Sequence, residues 1–304
     1  MEAVGENTHG SFYMPLYVAL TTGAFARAGL KVDLQSVAFR DGERRLAGGE
    51  ADLLVAAPMR TMRLFELTGT RIVSFTELAS RQPFCVFAAK AEPDFNWKDL
   101  EGNGLINFGS AETPILCLRY VLKKQGVRAG KVRIIDHLTP TEGLEAFKAG
   151  AARYILHPLD TMDQLIAQKR AHLVAPLAPA VGHIPFTTWA ASPRFLRERR
   201  GDVSAFVSAH ESALEWISSH SGAQLSRIVK GFFPTVSTAR LTGIVEQYLS
   251  WGLWPQNGSL SNASLLFYRR LLASTGWIEG TVPIERIAQP SPAGGGPRSR
   301  RPRR

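Results

Sequence analysis

The sequence predicts an α/β protein with two lobes, each built on a mainly parallel sheet, followed by a helical C-terminal third. Helical patterns alternate with short apolar runs on both sides of a polar, proline-containing connection at residues 91–102. From about residue 193 onwards the patterns are helical only. The chain has 304 residues, of which 45% are hydrophobic and 20% charged, enough for one large or two ordinary domains.

The first unit begins with a helix that is followed closely by a strand. Apolar residues at steps of mostly three and four predict a helix over residues 16–28, and Gly29 ends it because glycine accepts the left-handed conformation of a helix end. Further strands are predicted by alternation or by buried apolar runs, at residues 31–37, 52–56, 71–78 and 84–90.

The second unit repeats this alternation, and the last third adds helices. The expected strands are residues 103–109, 131–138, 152–158 and 172–178, and the expected helices are residues 110–126, 140–150 and 159–170. Four further helices are predicted around residues 200–221, 222–233, 237–254 and 261–277.

Half of the net charge of +10 comes from five arginines in the last seven residues. A tail of this composition cannot bury a core, so we expect residues 289–304 to be disordered and expect no nucleic-acid partner. The first residues show neither a basic leader nor an apolar stretch, which predicts an intracellular protein or, as we prefer, a chain whose start is truncated. Cys85 and Cys117 lie in apolar stretches and are expected to be inert.

No strong catalytic pattern is found. The chain has no phosphate-binding glycine loop of the usual spacing, no histidine pair one helical turn apart with a glutamate, and no serine between two glycines. We therefore expect a protein that is not an enzyme and that needs no cofactor and no metal.

Ligand binding is better supported, at the junctions where a strand passes into a helix. Ligands of parallel sheets collect beyond the carboxyl ends of the strands. The candidate binding residues at these junctions are Tyr13, Pro15, Pro58, Met59, Arg60, Gly109, Ser110, Ala111, Glu112, Thr113, His157 and Pro158. Free backbone amides at residues 109–113 suit an anion or a polar ligand, although capping of the helix by Ser110 or Thr113 is an equal alternative. A structural role for His157 and a solvated side chain for Arg60 also stay open.

An ordered series of motifs gives the chain a family resemblance. The stretches "YMPLYVALTTGAFARAGLKVDL", "LAGGEADLLVAAP", "AFKAGAARYILHP" and "TGWIEGTVPIERI" resemble the substrate-binding proteins of nitrate, sulfonate, taurine and pyrimidine ABC importers, a superfamily shared with thiamine-pyrimidine synthase. The resemblance implies a two-lobed periplasmic-binding-protein-like fold of type II, with residues 1–89 and 188–288 in lobe 1 and residues 90–187 in lobe 2. It implies hinges near residues 88–91 and 186–189, and it adds Phe12, Phe39, Arg40, Phe186 and Thr187 to the cleft.

The resemblance also implies a function and its partners. We expect a monomeric, extracytoplasmic solute-binding protein that delivers a sulfonate, nitrate, a pyrimidine or an aromatic acid to the permease and ATPase of an ABC importer. An enzyme of thiamine-pyrimidine biosynthesis or a cytoplasmic small-molecule sensor is the alternative. Where the synthase has a catalytic lysine and histidine this chain has Ala56 and Arg60, and residues 182–187 lack its cysteine cluster, so its chemistry is not expected here.

Overall fold

The computed structural model describes residues 1–6, 10–38 and 41–289 and contains two five-stranded sheets. The strands of the first sheet are Glu2–Glu6 (β1), Asp33–Val37 (β2), Leu53–Ala56 (β3), Val73–Ala79 (β4) and Thr187–Ala191 (β10), in the order β2-β1-β3-β10-β4. Those of the second are Phe84–Ala88 (β5), Gly104–Ile106 (β6), Arg133–Ile135 (β7), Tyr154–Pro158 (β8) and His172–Pro176 (β9), in the order β7-β6-β8-β5-β9.

Each sheet has one strand that runs against the others. In the first sheet β10 is antiparallel to both β3 and β4, and in the second β5 is antiparallel to both β8 and β9. The pairs β1–β2, β1–β3, β6–β7 and β6–β8 are parallel. The predicted α/β class is confirmed, but both sheets are mixed, because half of the strand pairs are antiparallel. Each reversed strand is the one by which the chain enters a sheet from the other.

Helices surround both sheets. The first sheet carries Met14–Thr21 (α1), Ala24–Arg27 (α2), Asp41–Gly48 (α3) and Pro58–Thr68 (α4), and the second carries Glu112–Lys124 (α5), Pro140–Lys148 (α6), Leu159–Ala167 (α7) and Leu177–Val181 (α8). The C-terminal helices are Pro193–Glu198 (α9), Arg200–Ser219 (α10), Gly222–Val229 (α11), Thr238–Ser250 (α12), Asn262–Ser274 (α13) and Ile284–Ile287 (α14). Short 3₁₀ helices lie at Ser11–Tyr13, Trp97–Leu100, Ala129–Lys131 and Lys230–Phe232.

The predicted helix over residues 16–28 is in fact two helices. Gly23 adopts a φ of 70°, in the left-handed region, and so separates α1 from α2. A residue with a Cβ would be strained in this conformation, which is why the break falls at the glycine. Both helices pack against α10, which holds the helical third on the first sheet.

The chain passes between the sheets at two neighbouring crossings. The first is at residues 80–83, between β4 and β5, and the second is at residues 182–186, between α8 and β10. The backbone N–H of Ile184 donates to the carbonyl of Ser80 at 3.0 Å, so the two crossings are hydrogen-bonded to each other. The boundary and hinge expected near residues 88–91 therefore fall too late, because β5 already belongs to the second sheet.

We call each sheet, together with the helices α1–α4 or α5–α8 that it carries, a sheet unit. The C-terminal helices contact the second sheet unit as well as the first. α13 packs on α4 and on α5, and α12 packs on α7. Arg240 of α12 forms an ion pair with Asp163 of α7 at 2.6 Å. Apart from Gln289, the tail predicted at residues 289–304 lies outside the described residues.

None of the helices in the described ranges has the length and apolar character that crossing a membrane would require.

Candidate functional site

A cavity of about 590 Å³ lies between the two sheet units. Its wall is formed by strand ends, helix starts and the loops between them. The described lining residues are Phe12, Tyr13, Glu43, Leu54, Val55, Ala57, Arg60, Phe84, Phe108, Gly109, Ser110, Ala111, Glu112, Thr113, Pro114, Pro140, Thr141, Leu144, His157, Pro158, Thr161, Phe186 and Thr187. This volume and mixed lining are typical of a site for a small organic ligand.

Most of the predicted site residues are brought together at this cavity. Those that line it are Phe12, Tyr13, Arg60, Gly109, Ser110, Ala111, Glu112, Thr113, His157, Pro158, Phe186 and Thr187. Pro15, Pro58 and Met59 are buried and are not among the described lining residues. Phe39 and Arg40 lie outside the described residues.

The aromatic part of the wall is continuous across the two sheet units. The ring of Phe12 contacts Tyr13 with centroids 4.4 Å apart, and it contacts Phe186 at 6.0 Å and Phe84 at 6.5 Å. Phe84 contacts Phe108 edge to face at 5.3 Å. These rings form a largely apolar surface that suits the body of an organic ligand.

Phe84 and Phe108 are lining residues that the sequence reasoning missed. Phe84 begins β5, and β5 is antiparallel, so its first residue rather than its last lies at the cavity edge of the sheet. The rule of strand carboxyl ends points to the wrong end of such a strand. Phe108 follows β6 within the predicted junction and could have been included from that position alone.

Two helices begin at the cavity without a side-chain cap. The N-cap of α5 is Ala111 and that of α4 is Ala57, and neither helix start receives a hydrogen bond from a capping side chain. The hydroxyl of Thr113 instead donates to the sulfur of Met59 at 2.9 Å, so capping by Ser110 or Thr113 is not observed. The first N–H groups of a helix have no partner within the helix, and they carry partial positive charge.

The charged groups of the wall partly offset each other. Arg60 forms an ion pair with Glu43 of α3 at 2.5 Å, and the two side chains are 14% and 13% exposed. Glu112, at the start of α5, adds a second carboxylate. Glu43 was missed by the sequence reasoning, although it lies at a strand-to-helix junction after β2. Because of this pairing, Arg60 does not supply the net positive charge that its sequence position indicated.

His157 is the titratable ring of the wall. It is fully buried on β8, its Nδ1 lies 3.0 Å from the hydroxyl oxygen of Thr161, and the ring of Phe108 contacts it edge to face at 4.8 Å. Burial lowers the pKa of His157 to about 3, so the ring is neutral near pH 7. In the described part of the structure its Nε2 atom has no hydrogen-bond partner.

The cysteines, Cys85 and Cys117, are fully buried and do not contribute to the described lining. Burial raises the pKa of the Cys117 thiol to about 12 and that of Cys85 well above its ordinary value, so neither is a thiolate nucleophile near neutral pH. Across the described ranges, no group of three or more histidine, cysteine, aspartate and glutamate side chains could hold a metal ion.

Comparison with known proteins identifies the family. The family model described as "NMT1/THI5 like" matches residues 11–223, well over half of the chain. The chain belongs to the NMT1/THI5-like family. The match confirms the superfamily that the motif series indicated.

One curated relative and several solved structures are similar to nearly the whole chain. The chain is 23% identical over 290 residues to a protein of Bacillus subtilis (strain 168) named "Putative binding protein YtlA", with 93% of this chain and 86% of the relative aligned. The periplasmic aliphatic sulphonate binding protein SsuA of Escherichia coli has the same fold, with a TM-score of 0.74 and 13% identity over 94% of this chain and 96% of SsuA. A mutant of the desulfurization enzyme DSZB, in complex with biphenyl-2-sulfinic acid, also has this fold, with a TM-score of 0.67 and 14% identity over 95% of this chain and 96% of DSZB.

Proposed function

We propose that this protein is the solute-binding component of an ABC importer and that it captures a small organic molecule or anion in the cavity between its two sheet units. The observation that carries the proposal is the wall itself, since both units contribute aromatic rings and α4 and α5 begin there without side-chain caps. The names of YtlA and SsuA support a binding role. Its partners would be a permease and an ATPase, and its place of work the outer side of the membrane.

The two crossings suggest how binding would be signalled. A chain that passes twice between two units, at adjacent segments, permits hinge closure around a ligand. We propose that residues 1–79 with 187–288 form one lobe and residues 84–181 the other. Closure over the ligand would then present a new surface to the permease.

Enzymatic chemistry on the same fold is the less favoured function. DSZB is an enzyme, so the fold alone does not distinguish a binding protein from an enzyme. The burial of both thiols and the absence of a metal-binding group in the described ranges remove two common routes to catalysis. Ala56, at the position of the synthase lysine, is buried in β3 and supplies no nucleophile.

The proposal is tested by a thermal-shift screen followed by calorimetry. The panel contains alkanesulfonates, benzenesulfonate, nitrate, aminopyrimidines and aromatic carboxylates. A ligand present at 100 times its Kd should add about 2.7 kcal/mol to the free energy of unfolding. A complete lack of stabilisation across the panel would contradict the proposed ligand classes.

A matched pair of variants assigns a hit to the cavity. Phe108 and Phe267 are both half-buried phenylalanines, but only Phe108 is among the described lining residues. We expect Phe108→Ala to weaken binding about tenfold or more and Phe267→Ala to leave it unchanged. Equal effects of the two changes would place the ligand elsewhere.

A further inference from the structure

His157 is a buried polar group that the fold leaves with an unused hydrogen-bonding atom. It lies in the cavity wall, is 0% exposed, and in the described ranges its Nε2 has no partner. Buried polar atoms are almost always hydrogen-bonded, so an exception beside a cavity requires an explanation. A ligand that completes the bond would provide one.

The hydrogen bonds on the other side of the ring determine which role Nε2 plays. The hydroxyl of Thr161 donates to the carbonyl of Pro158 at 2.9 Å. A hydroxyl has a single hydrogen, so the oxygen of Thr161 is left to accept a bond from Nδ1 of His157, 3.0 Å away. In a neutral imidazole only one nitrogen carries a proton. This arrangement favours the tautomer in which Nδ1 holds the proton and Nε2 presents a lone pair.

We infer that the ligand of this cavity donates an N–H or O–H hydrogen bond to Nε2 of His157, and this inference rests on the proposed function. The ring is neutral near pH 7 because burial lowers its pKa to about 3, so it offers an acceptor and not a cation. A sulfonate or nitrate oxygen has no hydrogen to give and would face the lone pair unfavourably.

The rest of the wall offers donors as well as apolar surface. Besides the Phe12, Phe84 and Phe108 rings, the uncapped start of α5 offers N–H donors to an acceptor or anionic group. Thr187 also has a buried hydroxyl with no partner in the described structure, and a hydroxyl can donate or accept. The substrate class is thus an aromatic or similarly apolar ring that carries an amino, ring N–H or hydroxyl donor and also an acceptor group.

Calorimetry with matched compounds tests the donor. Benzenesulfonate is compared with its 2-, 3- and 4-amino derivatives, which add an N–H donor and keep the anionic group. At least one amino derivative should bind tenfold or more tightly than benzenesulfonate to the wild-type protein. His157→Phe should remove that preference, whereas His157→Gln, whose amide oxygen can accept, should keep part of it. Equal binding of all four compounds, or a preference that survives in His157→Phe, would overturn the inference.

Nuclear magnetic resonance tests the tautomer without any ligand. In the ¹⁵N-histidine-labelled wild-type protein, with His157→Gln used for assignment, Nε2 of His157 should show the shift of an unprotonated ring nitrogen and Nδ1 that of a protonated one. A protonated Nε2 would overturn the inference even if the cavity binds benzenesulfonate. Failure of all four compounds to bind would count against arylsulfonates as the ligand class and not against the proposed function, and the tautomer would still decide the role of His157.

Discussion

His210 is a buried histidine whose charge the folded state opposes. Its Nε2 donates to the backbone carbonyl of Glu77 at 2.7 Å, and burial lowers its pKa from 6.5 to about 4. As the pH falls, the unfolded chain takes up the proton first, so stability that is complete above about pH 6.5 is lost as the pH falls towards 4. Between pH 7 and pH 5 this amounts to about 2 kcal/mol from His210.

His210→Gln isolates that contribution. The glutamine amide can still donate to the carbonyl of Glu77, but it does not titrate. We expect the variant to lose about 2 kcal/mol less than the wild type when the pH is lowered from 7 to 5, measured by urea unfolding at both pH values. The same loss in both proteins would show that the pKa of His210 is the same in the folded and the unfolded state, so that His210 does not contribute to the pH dependence.

At the level of single residues, a residue's position at a helix or strand end predicted its place in the candidate site better than its charge predicted its role there. The sequence could place Arg60 and His157 at helix and strand ends, because local patterns define those ends. It could not show that Glu43 pairs with Arg60, since that contact joins two helices. Nor could it show that Thr161 fixes one nitrogen of His157, which depends on the turn after β8.

At the start of α5, one substitution should change both the stability of the protein and its affinity for an anionic ligand. The N-cap of α5, Ala111, provides no side-chain oxygen and lies in the cavity wall. Ala111→Asp should stabilise the helix by about 1 kcal/mol, because the carboxylate caps the free N–H groups and complements the helix dipole. The same carboxylate should weaken the binding of an anionic ligand.

Ala111→Ser is the matched control, since it caps the helix without adding charge. We expect both variants to melt at a higher temperature, but Ala111→Asp to lose more affinity for benzenesulfonate than Ala111→Ser. Unchanged affinity in Ala111→Asp, measured by calorimetry, would show that the anionic group does not bind at α5.

Gly109 positions the loop that leads into α5. It has a φ of 58°, and a Cβ at this site would lie 3.2 Å from Cδ of Pro140. Gly109→Ala therefore combines an unfavourable backbone conformation, about 1 kcal/mol or more, with a close contact at the cavity wall. We expect lower stability in denaturant unfolding together with weaker ligand binding.

Gly126 offers a control, because its backbone also lies in the left-handed region. Its φ is 69°, but a Cβ there meets nothing within 4 Å. Gly126→Ala should lower stability by a similar backbone cost and leave ligand affinity unchanged. Weaker binding in both alanine variants would show that the loss follows from general destabilisation and not from the Gly109 loop.

Elements with a clear period were predictable, whereas a short reversed strand was not. The apolar spacing over α5 predicted a helix there, and the alternation over β2 predicted a strand. β10 was not predicted as a strand, and its residues were assigned to the cleft and a hinge. "TTWAA" has little alternation, and its pairing partners, β3 and β4, lie more than 100 residues earlier. Long-range pairing of this kind leaves no local signal.

At the scale of the whole molecule, the order of the motifs predicted the two-lobed architecture, but it did not predict where the chain crosses from one sheet to the other. The first crossing was expected after β5, since β4 and β5 read as consecutive apolar strands of one sheet. They belong to different sheets because the chain crosses at residues 80–83, where Ser80 is anchored by its N–H to the carbonyl of Leu253. That contact joins distant parts of the chain and is not visible in the sequence.

Hydrogen bonds between the two sheet units offer a test of the proposed closure. Ser11, in the 3₁₀ helix before α1, donates its backbone N–H and its hydroxyl to the same carboxylate oxygen of Asp160 at 2.6 and 2.9 Å. Asp160 belongs to α7 on the second sheet unit. The two hydrogen bonds therefore join the proposed lobes directly and would be lost if the lobes moved apart.

Ser11→Ala removes one of these bonds and should shift the protein away from the closed state. A hydrogen bond of this type contributes about 1 kcal/mol, so we expect about fivefold weaker ligand binding and a faster release rate in calorimetry and stopped-flow measurements. Ser212→Ala, which removes a hydroxyl that donates to the carbonyl of Ser208 within α10, should leave both quantities unchanged. Small-angle scattering of the ligand-free proteins should give a larger radius of gyration for Ser11→Ala than for Ser212→Ala. Identical radii and affinities would mean that the contact between Ser11 and Asp160 does not govern closure. Helices α12 and α13 also contact both units, so they would then be the elements that hold the two units together.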